Sequence, residues 1–214
     1  MANILLGITG SISAYKAVDL ANILTKNGHD VRCILTDAAA KFVTPLSLQT
    51  MSKNKVYTDM FDESNPKEVT HIALSDWADL CVIAPASANT IAKLANGIAD
   101  NLLTSTVLAL DNKMLIICPA MNPKMYYNPM TQKNLETLTL RKAIKIRTVE
   151  TTLACGAVGR GGLVKIKNLV KMLEEKYIPE CRNFDTKGKP NFITYKKHIS
   201  PDWDSAASNK EDCS

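Results

Sequence analysis

The sequence predicts an α/β fold in which a parallel sheet carries helices on both faces. Two observations predict it. Four short apolar runs lack polar alternation, as strands buried on both sides should. Between them lie stretches with apolar side chains at helical spacing, so strands and helices alternate along the chain.

The elements follow in order. Asn3 to Ile8 is the first run, and the turn that follows Gly7 and includes Gly10 leads to Ala14 to Asn27, with Ala, Val, Leu and Ile at helical spacing. Turn residues 27–30 precede the second run, Val31 to Leu35, which ends at Thr36; a helical signal resumes from Asp37 to Phe42. The third run, Leu80 to Ala84, is followed by PASANT and a helical stretch from Ile91 to Ala99. A helix over Asn101 to Leu110 leads into the fourth strand, Met114 to Cys118, which stops at Pro119. The stretch LACGAVGRGG, residues 153–162, is too rich in glycine for a strand or a helix interior and is expected to be a loop.

Composition narrows the function. The 214 residues fit one domain with an appendage and bury a full-sized core. A net charge of +5 is modest and its basic residues are scattered, which argues against a nucleic-acid surface. The N-terminus has no basic region before its apolar run, and no apolar stretch reaches the ~18 residues of a membrane span, so a cytoplasmic protein is expected. The six cysteines form no CxxC pair and no metal-ligand spacing; they are expected to be thiols, with no metal.

Ligands of such sheets sit beyond the carboxyl ends of the strands, where helix N-termini favour phosphate. Those ends here read GITGSIS, LTDAAAKF, PASANT and PAMNPKM. GITGSIS lacks the third glycine of a dinucleotide fingerprint, and no acidic residue ends the second strand, which disfavours a dinucleotide. One phosphate held by Gly10, Ser11 and Ser13 points instead to a mononucleotide such as FMN, although such a turn is as often structural. Ser87, Asn89 and Thr90 add three hydrogen-bonding side chains at another strand-to-helix junction. Cys155 stands between alanine and glycine, and its neighbours leave it open as filler, disulfide partner or reagent. On the residues alone, His71 is more often a helix cap or a surface residue, Asn122 reads equally as a turn former, and Met125 is core by default.

Three motifs in this order, PASANTIAKLANGIADNLLT (85–104), PAMNPKMYYNPMTQKN (119–134) and LACGAVGRG (153–161), resemble those of the flavin-containing cysteine decarboxylases, most closely the coenzyme A branch. The resemblance covers Met1 to about Lys176. It implies a flavodoxin-like, Rossmann-type sheet, bound FMN, and a homotrimer or multiple of trimers with flavin sites at subunit contacts. It further implies that His71 acts as a base, that Asn122 holds the substrate carboxylate beside Met121 and Met125, and that Thr36, Phe42, Ser87, Asn89 and Thr90 contact FMN. The implied reaction turns phosphopantothenoylcysteine into 4'-phosphopantetheine. Oxidation at the thiol-bearing carbon gives the electrons of the departing carboxylate somewhere to go, and Cys155 then protonates the enethiolate so that reduced flavin can return its hydride and the product leaves saturated.

The match departs at Ala157 and Gly162, where coenzyme A members carry an acidic or polar residue and a GRM-like ending, so the loop over the substrate is expected to close differently. Residues 1–178 are expected to form the decarboxylase domain, and 179–214, with no sustained period, a disordered or loosely docked tail. Two alternatives remain: an oxidative decarboxylase of the C-terminal cysteine of lanthionine-type peptides, giving an enethiol, and a non-catalytic flavin-binding regulatory subunit. Retention of Cys155 favours the coenzyme A route over the first, and intact His71, Asn122 and Cys155 argue against the second.

Overall fold

A computed structural model describes residues 1–61, 68–111, 113–152 and 158–182. Six parallel strands form its sheet: β1 (Asn3–Ile8), β2 (Asp30–Leu35), β3 (Val56–Tyr57), β4 (Leu80–Ala86), β5 (Met114–Pro119) and β6 (Ile144–Lys145), in the order β3-β2-β1-β4-β5-β6. With the two-residue edge strand β3 set aside, the order is that of a flavodoxin-like sheet. The chain leaves β1 toward β2 and returns to its other side at β4, so the topological switch point lies between β1 and β4.

The unbroken apolar strands feed two cores. Ile4, Leu6 and Ile8 of β1 join Val31, Cys33 and Leu35, Leu80 and Val82, and Ile116 and Cys118 on one face. That face is covered by α1 (Tyr15–Lys26), α2 (Pro45–Ser52), α8 (Ile166–Met172), a π-helical turn (Leu173–Tyr177) and α9 (Ile178–Arg182). Leu5, Ile34, Cys81, Ile83 and Ile117 face the other way, against α3 (Thr70–Trp77), α4 (Ala88–Asn96), α5 (Leu102–Leu108) and α7 (Pro129–Leu140). Gly7 belongs to this second face: a Cβ there would stand 2.6 Å from Leu103 Cδ1, so its absence lets α5 lie against the sheet.

Local chemistry sets the ends. Ser87 caps α4, Gly97 in the left-handed region (φ 68°) stops it, and Asn101 opens α5 through a capping box with Thr104. The helix expected over Asp37 to Phe42 is only a 3₁₀ turn at Ala39–Lys41. Pro45 holds Thr44 in extended backbone, where it caps a new helix, α2. Helical structure also runs through α9 to Arg182, beyond the expected domain end, with Cys181 against the core. The glycine-rich stretch expected as a loop contributes a strand: β8 (Val158–Gly162) pairs antiparallel with β7 (Val149–Thr152). Among the described residues no helix is long and apolar enough to cross a membrane.

Cys33, Cys81 and Cys118 sit inside the sheet without disulfides. Burial pushes the first two thiols up to about 12 and the third higher still, so they stay protonated through neutral and mildly alkaline pH. Iodoacetamide at about pH 8 is therefore expected to leave these three unlabelled in the native protein and to label them in urea, with the sites read by peptide mass spectrometry.

Candidate active site

The carboxyl edge of the sheet gathers most of the expected residues. Ser11 accepts a hydrogen bond from Ser13 N at 3.3 Å and caps the 3₁₀ turn Ile12–Ala14 that leads into α1. A Cβ on Gly10 would lie 2.6 Å from Ala38 Cβ, so glycine is what lets this turn close on the loop after β2. In that loop the Thr36 hydroxyl donates to Ile8 O and accepts from Ala39 N, both at 3.3 Å. Phe42 follows with its ring half exposed. Across the switch point, Ser87 Oγ accepts from Thr90 N at 3.3 Å and donates to Thr90 Oγ1 at 3.2 Å. Thr90 is buried, whereas Asn89 is exposed on the first turn of α4. No acidic side chain lies in the first turn of the 3₁₀ turn, α1 or α4, which suits a phosphate dianion.

His71 reaches the same edge by a different route. The far end of α3 is tied to the start of β1, where Asn3 Nδ2 donates to Trp77 O at 3.0 Å. The first turn of α3, with half-buried His71, therefore lies at the carboxyl edge.

The loop after β5 supplies the third part. Asn122 caps α6 (Pro123–Tyr126), its Oδ1 accepting from Lys124 N at 2.9 Å. Met121 is half buried and Met125 half exposed beside it. The β7–β8 hairpin lies directly on this loop. Met121 N donates to Gly161 O at 2.9 Å. A Cβ on Gly161 (φ 152°) would come within 2.3 Å of Met121 O, and one on Gly159 within 3.0 Å of Pro123 Cγ. Cys155 and Ala157 lie outside the described residues; Thr152 and Val158 on either side of that segment are paired.

Two contributors escaped the sequence reading. Thr9, fully buried, donates from Oγ1 to Pro85 O and accepts from Ser87 N, both at 2.8 Å. Gly159 and Gly161 act through close approach rather than through a turn. Neither role has a sequence signal, since both depend on which distant backbone each residue meets. A separate hollow of about 230 Å³, floored by Leu94, Leu115 and Leu138, holds none of these residues. The polar edge is the better candidate because hydrogen-bonding groups converge there.

Residues 1–177 match the Flavoprotein family. The chain is 47% identical over 174 residues to a probable phosphopantothenoylcysteine decarboxylase of Streptococcus mutans, covering 81% of this chain and 97% of that protein. It is 45% identical over 192 residues to the coenzyme A biosynthesis bifunctional protein of Bacillus subtilis, covering 90% of this chain but only 47% of that longer relative. A solved PPC decarboxylase variant complexed with pantothenoylaminoethenethiol superimposes with TM-score 0.77 at 34% identity, over 83% of this chain and 98% of the other. The FMN-binding protein AtHal3 superimposes with TM-score 0.75 at 34% identity, over 83% and 97%.

The docking of the hairpin gives a direct test. Gly161→Ala forces a side chain against the Met121 carbonyl in a backbone region that disfavours it, so turnover should fall about a hundredfold. The melting temperature should drop by only a few degrees, about the cost of one strained residue at the periphery. Turnover and thermal melts on the same preparation check both.

Proposed function

The chain belongs to the Flavoprotein family, and on that premise we propose that it is an FMN-dependent carboxy-lyase of coenzyme A biosynthesis, converting phosphopantothenoylcysteine to 4'-phosphopantetheine. One observation carries the reading. The serine-rich turn, the Ser87 cap, the Asn122 loop and the hairpin flanking residues 153–157 are linked by hydrogen bonds along one sheet edge, in a chain that spans 97% of its Streptococcus relative.

The residues fit FMN. Ser11 and Ser87 present hydroxyls at helix starts free of carboxylates, and Gly10 brings the backbone close. Ser11, Ser13, Ser87, Asn89 and Thr90 would hold the cofactor, with Thr36 and Phe42 on its other flank. Bound FMN supplies a two-electron acceptor for the carbon that bears the substrate thiol. The chain's own residues do the rest. Asn122 holds the carboxylate, and Met121 and Met125 wall the pocket around it. His71 serves as the base at the edge of the site. Cys155 would donate a proton to the decarboxylated enethiolate, and the hydride taken up by the bound cofactor would return to the same product, which then leaves saturated.

The active unit is a homo-oligomer, a trimer or a multiple of trimers. Ile12, Tyr15 and Phe42 beside the phosphate turn, and Met125, Tyr127 and Met130 on the substrate loop, are exposed apolar side chains that a second copy would cover. Residues 1–178, continued by α9, are the catalytic unit; most of the expected tail, 183–214, lies outside the described residues. Among the described residues, Cys33, Cys81 and Cys118 are thiols rather than disulfides, which suits the cytoplasm.

The purified protein should be yellow with stoichiometric FMN, and Asn122→Ala and His71→Ala should keep the colour while losing CO2 release by at least about a hundredfold. Wild-type turnover in either variant would remove that residue's role, and a colourless protein that takes up no FMN would remove the whole reading.

Cys155→Ser should still decarboxylate the small substrate but stall with bleached flavin and a product lighter by one pair of hydrogens, as read by mass spectrometry. If the wild type gives only the lighter product, from this substrate or from a peptide ending in cysteine, the oxidative peptide route replaces the coenzyme A assignment.

A further inference from the structure

The ladder between β1 and β4 ends at the pair Gly7 and Ile83. Beyond it β4 carries Pro85, which has no N–H to offer, and the register of β4 against β5 shifts between Ile83 and Ala86. β4 then continues toward β5 alone, with Ala86 opposite Pro119 and Ala120 N donating to Ala86 O at 3.0 Å. At the switch point the two strands that must cradle the ligand have therefore lost their main-chain bonds to each other.

Thr9 stands in the gap. Its single hydroxyl fills both halves of a missing rung, donating to Pro85 O and accepting from Ser87 N at 2.8 Å each. The side chain is fully buried, and its one proton is committed to Pro85 O. It fixes the distance between the turn that presents Ser11 and the residue that caps α4. We infer that Thr9 is a positioning residue for the cofactor phosphate, so that FMN affinity depends on a hydroxyl that does not touch FMN. The inference rests on the FMN reading given above.

Thr9→Val keeps the shape and removes the hydroxyl, leaving Pro85 O and Ser87 N–H buried without their partner. Thr9→Ser keeps the hydroxyl. FMN titration of the apo full-length chain, followed by flavin fluorescence, is expected to show a Kd raised about tenfold or more in Thr9→Val and held within about threefold of wild type in Thr9→Ser. The rise in melting temperature that saturating FMN gives should shrink in Thr9→Val, because that rise reports binding rather than the stability of the apo fold. The inference is overturned if Thr9→Val titrates like wild type, or if Thr9→Ser loses as much affinity as Thr9→Val. It is also overturned if apo and FMN-bound melting temperatures fall in parallel with Kd unchanged, which is what a merely structural threonine would do. Should Thr9→Val fail to fold, Thr9→Ala is read against Thr9→Ser in the same way; if Thr9→Ala fails to fold as well, the residue supports the whole fold and the positioning role is rejected. A wild-type chain that takes up no FMN overturns the functional reading and this inference together, and that titration precedes the variants.

Discussion

A parallel sheet can bind a ligand at its edge only where two neighbouring strands part, and parting leaves backbone groups unpaired in a buried place. This molecule meets that constraint at Pro85. The proline ends the β1–β4 ladder without orphaning an N–H of its own, and the Thr9 hydroxyl satisfies the carbonyl and the next N–H. The crevice between the strands is thus opened and closed by two adjacent devices, one that removes a donor and one that supplies a side chain in its place. Ser87, whose N–H is held by Thr9, caps α4 with its own hydroxyl, so the helix start inherits its position from the strand edge.

The same logic continues along the edge. Ala86 O takes Ala120 N, and Met121 N takes Gly161 O, so each loop is fastened to the next by main-chain bonds rather than by long side chains. Such a chain of short bonds is stiff, and stiffness is what a site needs when its task is to orient a carboxylate and a thiol. At Gly161 a Cβ would run into the Met121 carbonyl, and at Gly10 into the Cβ of Ala38, so neither approach leaves room for one. The glycines are needed for that approach, whatever secondary structure surrounds them.

This explains which parts of the molecule were legible in the sequence. The four long strands and α1, α4 and α5 were readable because each is long enough to show its period. The edge strands Val56–Tyr57 and Ile144–Lys145 are two residues long and show none. The stretch Asp37 to Phe42 has helical composition, but Pro45 decides where the helix begins. GRGG has the composition of a loop and the pairing of a strand, because contact with Met121 and Pro123 overrides propensity. At the site, capping residues such as Ser11, Ser87 and Asn122 could be found from hydroxyls and amides at strand-to-helix junctions. Thr9 could not, since a threonine between apolar and glycine neighbours looks the same whether or not a distant proline needs it.

The four cysteines placed in the structure sharpen the reading of the chemistry. Cys33, Cys81 and Cys118 are held as neutral thiols by burial between two layers of helices, and Cys181 donates to the main chain of α9. The sheet thus uses cysteine as a small apolar side chain, and its interior offers no thiolate to compete for substrate or oxidant. On the proposed reading, reactive thiol chemistry falls to Cys155, and the strand that follows it, β8, is bonded to the loop of Asn122 through Gly161 O and Met121 N. On that reading the carboxylate ligand and the strand next to the proton donor share one footing, which is what a decarboxylation followed by proton delivery to the same molecule requires.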